Sequence, residues 1–401
     1  MNIPFSPPDI TQLEIDEVVD TLKSGWITTG LKTKKLEKLI TEYINVDGTI
    51  CLNSATAAME TALRLLGIGK GDEVITSAYT YTASASVINH VGAKIVLVDT
   101  LEDSFMMDYD KLNDLITEKT KAIIPVDIAG VPVDYDKLKE IILNNKYKFK
   151  PNSDIQELLG RIAIVSDNAH SLGSTYKNRK TGEDSDFSNF SFHAVKNFTT
   201  GEGGSLSWKT IEGITNEEIY KRLQLLTLHG QNKDALSKTK LGSWEYDIIG
   251  LNYKYNMPDI TAAIGLAQFK RYDSLLKRRK EIIKQYDESF KNTIIEPLKH
   301  SSENYNSNGH LYLTRVKGIN EEERNTIIEK LAEKGISANV HYKPLPMLTA
   351  YKELGFKIED FPNAYNQYKN EITLPLHTLL TDEEVKYVAD NFKEIVNEFT
   401  R

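Results

Sequence analysis

Short apolar runs alternate with helical patterns between residues 53 and 208 of the chain. The runs are rich in Val and Ile, which is typical of strands covered on both faces, because a strand with one exposed face alternates apolar and polar positions. They lie at residues 73–76, 94–99, 122–126 and 162–167. Strands that are separated by helices predict βαβ units and a mostly parallel sheet.

The pattern changes after Pro258, where one long helix is predicted. Pro is favoured in a first helical turn, and apolar residues such as Ala262 and Phe269 follow the helical period. The helix continues into a charged region at residues 277–280. We expect it to carry the chain out of a first domain.

The remaining elements predict a smaller α+β domain. They are strands at residues 311–316 and 338–342, and helices at residues 321–334 and 382–399. We therefore divide the chain into a large domain, residues 1–270, and a C-terminal domain, residues 271–401. A polar stretch at residues 144–161 interrupts the alternation, and we expect an exposed excursion there.

Composition excludes several classes of protein. The 401 residues, 40% hydrophobic and 26% charged, are enough to bury a large core, and the net charge of -8 lacks the basic excess of nucleic-acid-binding proteins. The single cysteine, Cys51, excludes an internal disulfide and a Cys-x-x-Cys metal site, so we expect no metal. Neither a secretion signal nor a membrane-spanning run is visible. We expect a cytoplasmic protein that binds neither nucleic acid nor membrane.

Lys196 is the most informative residue of the chain. It lies within residues 191–204, Ser-Phe-His-Ala-Val-Lys-Asn-Phe-Thr-Thr-Gly-Glu-Gly-Gly, after an apolar pair and before a turn rich in Thr and Gly. An amine at such a sheet edge is partly desolvated, which lowers its pKa and lets it react with an aldehyde. Because an isolated lysine is more often a surface residue whose stem packs on the protein, its partners decide the interpretation.

Two other segments supply suitable partners. Residues 54–60 begin a helix whose free N–H groups are suited to a phosphate, although ordinary N-capping by Ser54 or Thr56 explains the same residues. Asp167 ends a predicted strand, where open α/β sheets bind ligands, and His170 follows it closely. Phosphate donors, a carboxylate and a reactive amine are what pyridoxal 5'-phosphate (PLP) requires, since its ring nitrogen needs an anion and its aldehyde a lysine.

With these motifs the chain resembles the sugar-nucleotide aminotransferases of the DegT/StrS family, among the fold-type I PLP-dependent enzymes. The resemblance covers nearly the whole chain, and residues 191–204 are its most specific part. The other matching stretches are residues 24–30, 53–58, 71–76, 167–173, 252–268 and 340–346. The resemblance implies a three-layer α/β fold with a mostly parallel central sheet and a smaller C-terminal α+β domain.

The resemblance also implies roles for single residues. Lys196 would bond the aldehyde of the cofactor and later carry a proton between substrate and cofactor, and Asp167 would pair with the ring nitrogen. Tyr81 would stack on the ring, and His170 would lie at its phenolic edge. The implied phosphate ligands are Ala55, Thr56 and Ser191, together with Asn252 or Asn256 of a second subunit. The implied substrate-binding residues are Thr29, Gly30, His341 and Tyr342, with Lys177 and Arg179 in a basic turn near the diphosphate.

Lys254 stands where the family often has an arginine, so the choice between Asn252 and Asn256 stays open. The alternative interpretation of Lys177 and Arg179 is an ordinary solvent-exposed turn with no role in binding. If the asparagine and the hairpin residues Lys177 and Arg179 reach into the site of a second subunit, each active site needs two subunits. An obligate homodimer then follows.

The implied reaction is a ping-pong transamination. L-Glutamate would give its amino group to the cofactor, and a nucleotide-linked keto-sugar would receive it, which yields an amino sugar for cell-surface glycans such as O-antigen. A 4-keto-6-deoxyhexose is the expected acceptor, because the run that begins at Tyr253 is most similar to that of relatives acting on such sugars. A 3-keto sugar is the alternative. A PLP-dependent sugar dehydratase and a non-catalytic PLP-binding regulator are further alternatives. Lys196 favours transamination over dehydration, because the dehydrating relatives carry histidine at this position.

Overall fold

A central sheet of seven strands organises the described part of the chain, residues 1–233 and 245–399 of the computed structural model. The strands up to residue 208 are β1 (Gly48–Leu52), β2 (Glu73–Ser77), β3 (Lys94–Val98), β4 (Thr120–Ile124), β5 (Ala163–Asp167), β6 (Thr175–Tyr176), β7 (Arg179–Lys180), β8 (Phe187–Ser191) and β9 (Gly204–Trp208). The order across the central sheet is β1-β9-β8-β5-β4-β2-β3. Only β9 pairs antiparallel, with β1 and with β8, so the predicted mostly parallel sheet is confirmed.

Helices accompany these strands. They are α1 (Gln12–Ser24), α2 (Leu31–Tyr43), α3 (Ala55–Leu65), α4 (Ala83–His90), α5 (Tyr109–Leu115), α6 (Tyr135–Asn144), α7 (Asp154–Leu159) and α8 (Asn216–Thr227). Every residue of β2, β4, β5 and β9 is buried. Burial of every position means that both faces of the sheet are covered, as in α/β proteins.

The long helix predicted after Pro258 is confirmed as α9 (Asp259–Phe290), with Pro258 at its N-cap. Its first half packs with Leu36, Phe198 and Met257, and its second half, from Ile282, belongs to a separate apolar cluster. The helix therefore connects two cores. Because α9 runs through residues 270 and 271, the domain boundary placed there stays a prediction.

The C-terminal part is built on an antiparallel three-stranded sheet in the order β10-β12-β13. Its elements are β10 (Ile295–Pro297), β11 (Tyr305–Asn306), β12 (Tyr312–Val316), α10 (Glu321–Glu333), α11 (Thr349–Glu353), α12 (Pro362–Tyr368), β13 (Glu371–Leu374) and α13 (Asp382–Asn397). The strand predicted at 311–316 and the helices predicted at 321–334 and 382–399 are confirmed within two residues. The short strand β11 instead pairs with β6, which forms a hairpin with β7.

Two predictions about local structure are wrong. Residues 338–342 form no regular strand, since only Asn339 makes a bridge, to Thr373. The next two backbone N–H groups bond to side chains: Val340 N donates to Asn339 Oδ1, and His341 N donates to Glu371. These hydrogen bonds take the place of the backbone hydrogen bonds of a sheet.

The polar stretch at residues 144–161 is the second wrong prediction, because it contains α7. Ser153 caps this helix by accepting a hydrogen bond from Gln156 N, and Ile155 is fully buried. The described helices include none that combines the length and apolar character needed to cross a bilayer. Within residues 1–233 and 245–399, no three His, Cys, Asp or Glu residues are grouped as metal ligands.

Candidate active site

A cavity of about 560 Å³ opens where β5 and β8 end, opposite the start of α3. Residues from the C-terminal part close its other side. The predicted site residues that line it are Ala55, Thr56, Tyr81, Asp167, His170, Ser191, Lys196, His341 and Tyr342. Segments up to 337 residues apart in the chain thus meet in one volume, since both Phe5 and Tyr342 line it.

Lys196 lies in the loop after β8, where its backbone N–H donates to His193 O. Burial lowers the pKa of its amine to about 8, against the opposing effect of the Asp167 charge. An amine with this pKa is partly neutral near physiological pH, and only the neutral form attacks an aldehyde. Its one hydrogen-bond partner among the described residues is His310, at 3.4 Å.

Asp167 ends β5 with its carboxyl buried at the bottom of the cavity. Ser84 Oγ donates to one oxygen at 2.7 Å and Ala169 N to the other at 3.1 Å. Burial raises the pKa of this carboxyl, while both hydrogen bonds and Lys196 oppose that shift. Each oxygen keeps a lone pair, so the group is suited to receive an N–H from a bound heterocycle.

His170 is a neutral ring with a defined orientation. Ala129 N donates to its Nδ1 at 3.2 Å, so the hydrogen lies on Nε2, which faces Tyr342 Oη at 3.1 Å. Burial lowers its pKa well below the usual range, and the Lys196 charge adds to this. The ring is therefore a hydrogen-bond donor and not a cation.

The turn that carries Asp167 and His170 is held from below by a buried carboxyl, Asp127. Asn168 Nδ2 and Ser171 Oγ both donate to Asp127 Oδ2 at 2.7 Å. Burial raises the Asp127 pKa to about 6, and these hydrogen bonds oppose the shift. Asp127 thus fixes the turn while remaining outside the cavity.

The start of α3 is the candidate anion site. Ser54 Oγ caps the helix by accepting from Ala57 N, and the first N–H groups, on Ala55 and Thr56, have no acceptor within the helix. A Cβ on Gly204 would lie 2.4 Å from Ala55 N, so only glycine leaves this space open. The geometry fits a phosphate bound to a helix N-terminus, as PLP requires.

His341 forms the opposite side of the cavity. Its ring Nδ1 lies 3.0 Å from Thr373 Oγ1, and the Thr373 hydroxyl donates to Glu371 Oε1 at 2.6 Å. The other Glu371 oxygen accepts from His341 N at 2.8 Å. Burial raises the Glu371 pKa to about 8 and lowers the His341 pKa to about 3. Glu371 therefore anchors both the backbone and the ring of His341.

Aromatic rings narrow the cavity mouth. Tyr81 is 60% exposed, and its ring centroid lies 5.9 Å from that of Tyr342. The Phe5 ring stacks on His341 at 5.5 Å, and Ser6 Oγ donates to Val195 O. The N-terminal segment thus crosses the cavity beside Lys196.

Six predicted site residues lie outside this cavity in the single chain, and four of them are Thr29, Gly30, Asn252 and Asn256. Thr29 Oγ1 donates to Met257 O at 2.6 Å and accepts from Asn256 Nδ2, and Gly30 N donates to Asp259 Oδ1. Asn252 Nδ2 donates to Leu225 O. Their roles in substrate or phosphate binding stay predictions.

Lys177 and Arg179 also lie outside the cavity, on the β6–β7 hairpin. Lys177 Nζ contacts Asp136 at 2.6 Å, and Arg179 contacts Asp184 at 3.0 Å. The basic turn is thereby ion-paired within its own chain, and its role at a diphosphate stays a prediction.

Sequence reasoning missed several groups that build the site: Phe5, Ser84, Asn197, His310 and Glu371. His310 is 114 residues from Lys196 along the chain, and Glu371 is 30 residues from His341. The only signal for His310 is a histidine next to a predicted strand at residue 311, which is too common a feature to single it out.

Comparisons with known proteins agree with this geometry. The sequence profile described as the DegT/DnrJ/EryC1/StrS aminotransferase family matches residues 8–393. The PMP form of Spr1654 from Streptococcus pneumoniae, a candidate sugar aminotransferase, is 58% identical, with full coverage of both chains and a TM-score of 0.97. Its PLP form has the same coverage and TM-score at 56% identity.

Two more distant relatives extend the comparison. SpsC of Bacillus subtilis, a spore coat polysaccharide biosynthesis protein, is 36% identical over 98% of this chain and 97% of its own. Helicobacter pylori PseC, an aminotransferase involved in the biosynthesis of pseudoaminic acid, is 28% identical, with full coverage of both chains and a TM-score of 0.86.

Proposed function

The chain belongs to the DegT/DnrJ/EryC1/StrS aminotransferase family, and we propose that it transfers the amino group of L-glutamate to a nucleotide-linked keto-sugar. It is a sugar aminotransferase that uses PLP, in keeping with the PLP and PMP forms of its structural neighbour. The relation to SpsC supports a role in sugar or polysaccharide biosynthesis. As the acceptor we propose a 4-keto-6-deoxyhexose, with a 3-keto sugar as the alternative.

One observation carries the proposal: a desolvated amine, a buried carboxyl and a helix N-terminus face the same cavity. Lys196 supplies the amine, Asp167 the carboxyl, and Ala55 and Thr56 the free N–H groups. When bound, PLP supplies an aldehyde and a ring that withdraws electrons from the substrate carbon. The three protein groups match its aldehyde, its ring nitrogen and its phosphate.

The residues of the chain position and move protons in this proposal. Lys196 would hold the cofactor and, once its amine is free, would move a proton between the substrate carbon and C4′ of the cofactor. Asp167 holds the ring nitrogen and keeps it protonated. His170 would lie at the phenolic edge, and Tyr81 would cover one face of the ring and exclude water.

The cavity of a single chain lacks an arginine among its described lining residues. The carboxylates of glutamate and the diphosphate of a nucleotide-sugar are usually bound by cations. We therefore propose a homodimer in which the partner contributes Lys177 or Arg179 of its hairpin, and Asn252 or Asn256 for the phosphate. Leu251 is 99% exposed and Ile249 59%, which is consistent with a second copy covering this segment.

A half-reaction tests the transfer itself. The purified holoenzyme is mixed with L-glutamate, and the absorbance of the bound cofactor is followed without a sugar. We expect conversion to the amino form of the cofactor and release of one 2-oxoglutarate per site. An unchanged spectrum would favour a non-catalytic PLP-binding protein.

A panel of acceptors tests the sugar. The dTDP-, UDP- and GDP-linked 3-keto and 4-keto sugars are added to the amino form of the enzyme, and amino-sugar product is measured by mass spectrometry. We expect turnover with a 4-keto-6-deoxyhexose. Turnover only with 3-keto sugars would overturn the choice of carbon but leave the transamination intact.

Complementation tests the shared site. Lys196→Ala and a double variant at Asn252 and Asn256 are each purified. The two proteins are mildly dissociated, mixed and allowed to reassemble. A dimer with sites made from both chains regains activity in the mixture, since one of its two sites is then intact. A mixture as inactive as its components, or a monomer by sedimentation, contradicts the shared site.

A further inference from the structure

The Lys196 amine has one hydrogen-bond partner in the described part of the chain, the ring of His310. Lys196 Nζ and His310 Nε2 lie 3.4 Å apart, a distance that catalytic contacts often show before substrate or cofactor tightens them. None of the described carboxylates forms an ion pair with this amine, and Asp167 acts on it only through its charge. The orientation of the amine therefore depends on His310.

The neighbours of His310 determine which ring nitrogen carries the hydrogen. Asn197 Nδ2 donates to Asn308 O at 3.0 Å, so Asn197 Oδ1 is the atom that faces His310 Nδ1, also at 3.0 Å. An amide oxygen only accepts, and the hydrogen must therefore lie on Nδ1. The lone pair of the ring is on Nε2, toward Lys196.

His310 also remains neutral. The residue is 4% exposed, and this burial lowers its pKa well below the usual range. The charges of Lys196 and Arg279 act in the same direction, as does His170. Without a proton on Nε2, the ring accepts a hydrogen bond from the lysine in both the amine and the ammonium form.

The ring has little freedom to move away. His310 N donates to Ala129 O at 3.2 Å, and Arg279 Nη1 donates to the carbonyl oxygens of Gly309 and His310 at 3.1 and 3.3 Å. The ring centroid lies 4.3 Å from that of His170. The buried Arg279 forms no ion pair with a described residue, so its hydrogen bonds serve to hold this segment.

We propose that His310 is a positioning residue for Lys196. By accepting one hydrogen of the amine it turns the lone pair toward the cavity, and it gives the ammonium form its hydrogen-bond acceptor. The consequence for catalysis depends on the proposed transamination, in which Lys196 takes and returns a proton. The hydrogen bond itself is a property of the chain and is measurable without cofactor.

Two amide variants separate positioning from mere packing. In His310→Gln the amide oxygen reaches the position of Nε2, whereas in His310→Asn the shorter side chain reaches only the position of Nδ1. The pKa of Lys196 is measured in the cofactor-free protein, from the pH dependence of its acetylation by acetic anhydride, with quantification of the Lys196 peptide by mass spectrometry. Asp167, His170 and His341, which also face the amine, are unchanged in both variants.

Loss of the acceptor removes a partner of the ammonium form, so the Lys196 pKa should fall. We expect a decrease of about one unit in His310→Asn, which is a tenfold change in the ratio of ammonium to amine, and a value close to the unmodified protein in His310→Gln. An unchanged or raised pKa in His310→Asn overturns the proposal. An equal decrease in both variants does so too, because it would reflect altered packing.

His300→Asn is the matched control. His300 is a buried histidine ten residues earlier, hydrogen-bonded to Ser307 and outside the cavity. The Lys196 pKa should not change in this variant.

If His310→Asn fails to fold, Asn197→Leu replaces it. This variant frees the His310 ring to turn and should also lower the Lys196 pKa, and an unchanged value contradicts the proposal. Failure of the proposed function would show instead as an unmodified cofactor spectrum with glutamate, while the Lys196 titration keeps its His310 dependence.

Discussion

The two sides of the cavity are built in different ways. One side, here called the sheet wall, consists of Asp167 and Lys196, at the end of β5 and just after β8. The other, the C-terminal wall, consists of His310, His341 and Tyr342, which lie outside regular strands and helices. The sheet wall carries the reactive groups, and the C-terminal wall carries neutral rings that face them.

The means of support differ as well. Parallel pairing with β4 and β8 holds β5 and so Asp167, in the way common to α/β proteins. The C-terminal wall depends instead on buried ionisable side chains, Arg279 below His310 and Glu371 behind His341. Regular structure thus places the chemistry, whereas isolated buried polar groups set the orientation of the rings around it.

Lys196→Ala gives the largest expected effect and tests the assignment of chemistry to the sheet wall. Turnover should fall by about 10⁴-fold or more, because both the covalent attachment and the proton carrier are lost. Amino-sugar formation and cofactor absorbance measure this. Lys284→Ala, an exposed lysine on α9, is the control and should behave like the unmodified protein. Retained turnover in Lys196→Ala would show that the reactive amine does not lie on the sheet wall.

Asp167→Asn tests the second reactive group. The amide keeps the size of the side chain and can still accept from Ser84, but it carries no charge for the ring nitrogen. We expect turnover to fall by about 10²-fold or more, with the fold unchanged. Ser84→Ala removes only one hydrogen bond and should have a smaller effect. Equal losses in the two variants would mean that geometry, not charge, is what Asp167 provides.

Glu371→Leu tests the C-terminal wall. His341 loses the acceptor of its backbone N–H and the support behind Thr373, so kcat/KM for the sugar should fall by about 10-fold. The cofactor spectrum should stay the same, since no group of the sheet wall changes. Glu371→Gln retains an acceptor oxygen and should lie near the unmodified enzyme. A loss of cofactor binding in Glu371→Leu would show that the two walls are not separable.

Lys196→Met gives the smallest expected effect and concerns stability. Because the folded pKa of Lys196, about 8, is below its usual value, the folded state binds fewer protons than the unfolded state between these values. The free energy of unfolding should therefore rise with pH above about 8, and the cost of the buried ammonium is fully present below it.

Methionine removes this cost. The cofactor-free Lys196→Met protein should be more stable than the unmodified one by about 2 kcal/mol at pH 7, less than the full shift implies because the side chain is partly exposed. The gain should shrink toward pH 10. Urea denaturation at the two pH values measures it, and a gain that does not depend on pH would point to packing instead of charge.

Part of the fold follows from local sequence and part does not. The Val- and Ile-rich runs predicted β2 to β5, and the helical period after Pro258 predicted α9, since both patterns are properties of neighbouring residues. The wrong prediction at residues 338–342 has another origin. Its N–H groups bond to side chains, and one of these, Glu371, lies 30 residues further along the chain.

The sequence by itself determined the sheet, the long helix and the candidates Lys196, Asp167 and residues 54–60, because short-range periodicity and strand-end position express them. Only the tertiary structure decided that His310 is the partner of the lysine amine and that Glu371 anchors His341. These contacts join segments 114 and 30 residues apart. Which residues meet in these contacts depends on how separate elements pack, and no local sequence pattern indicates it.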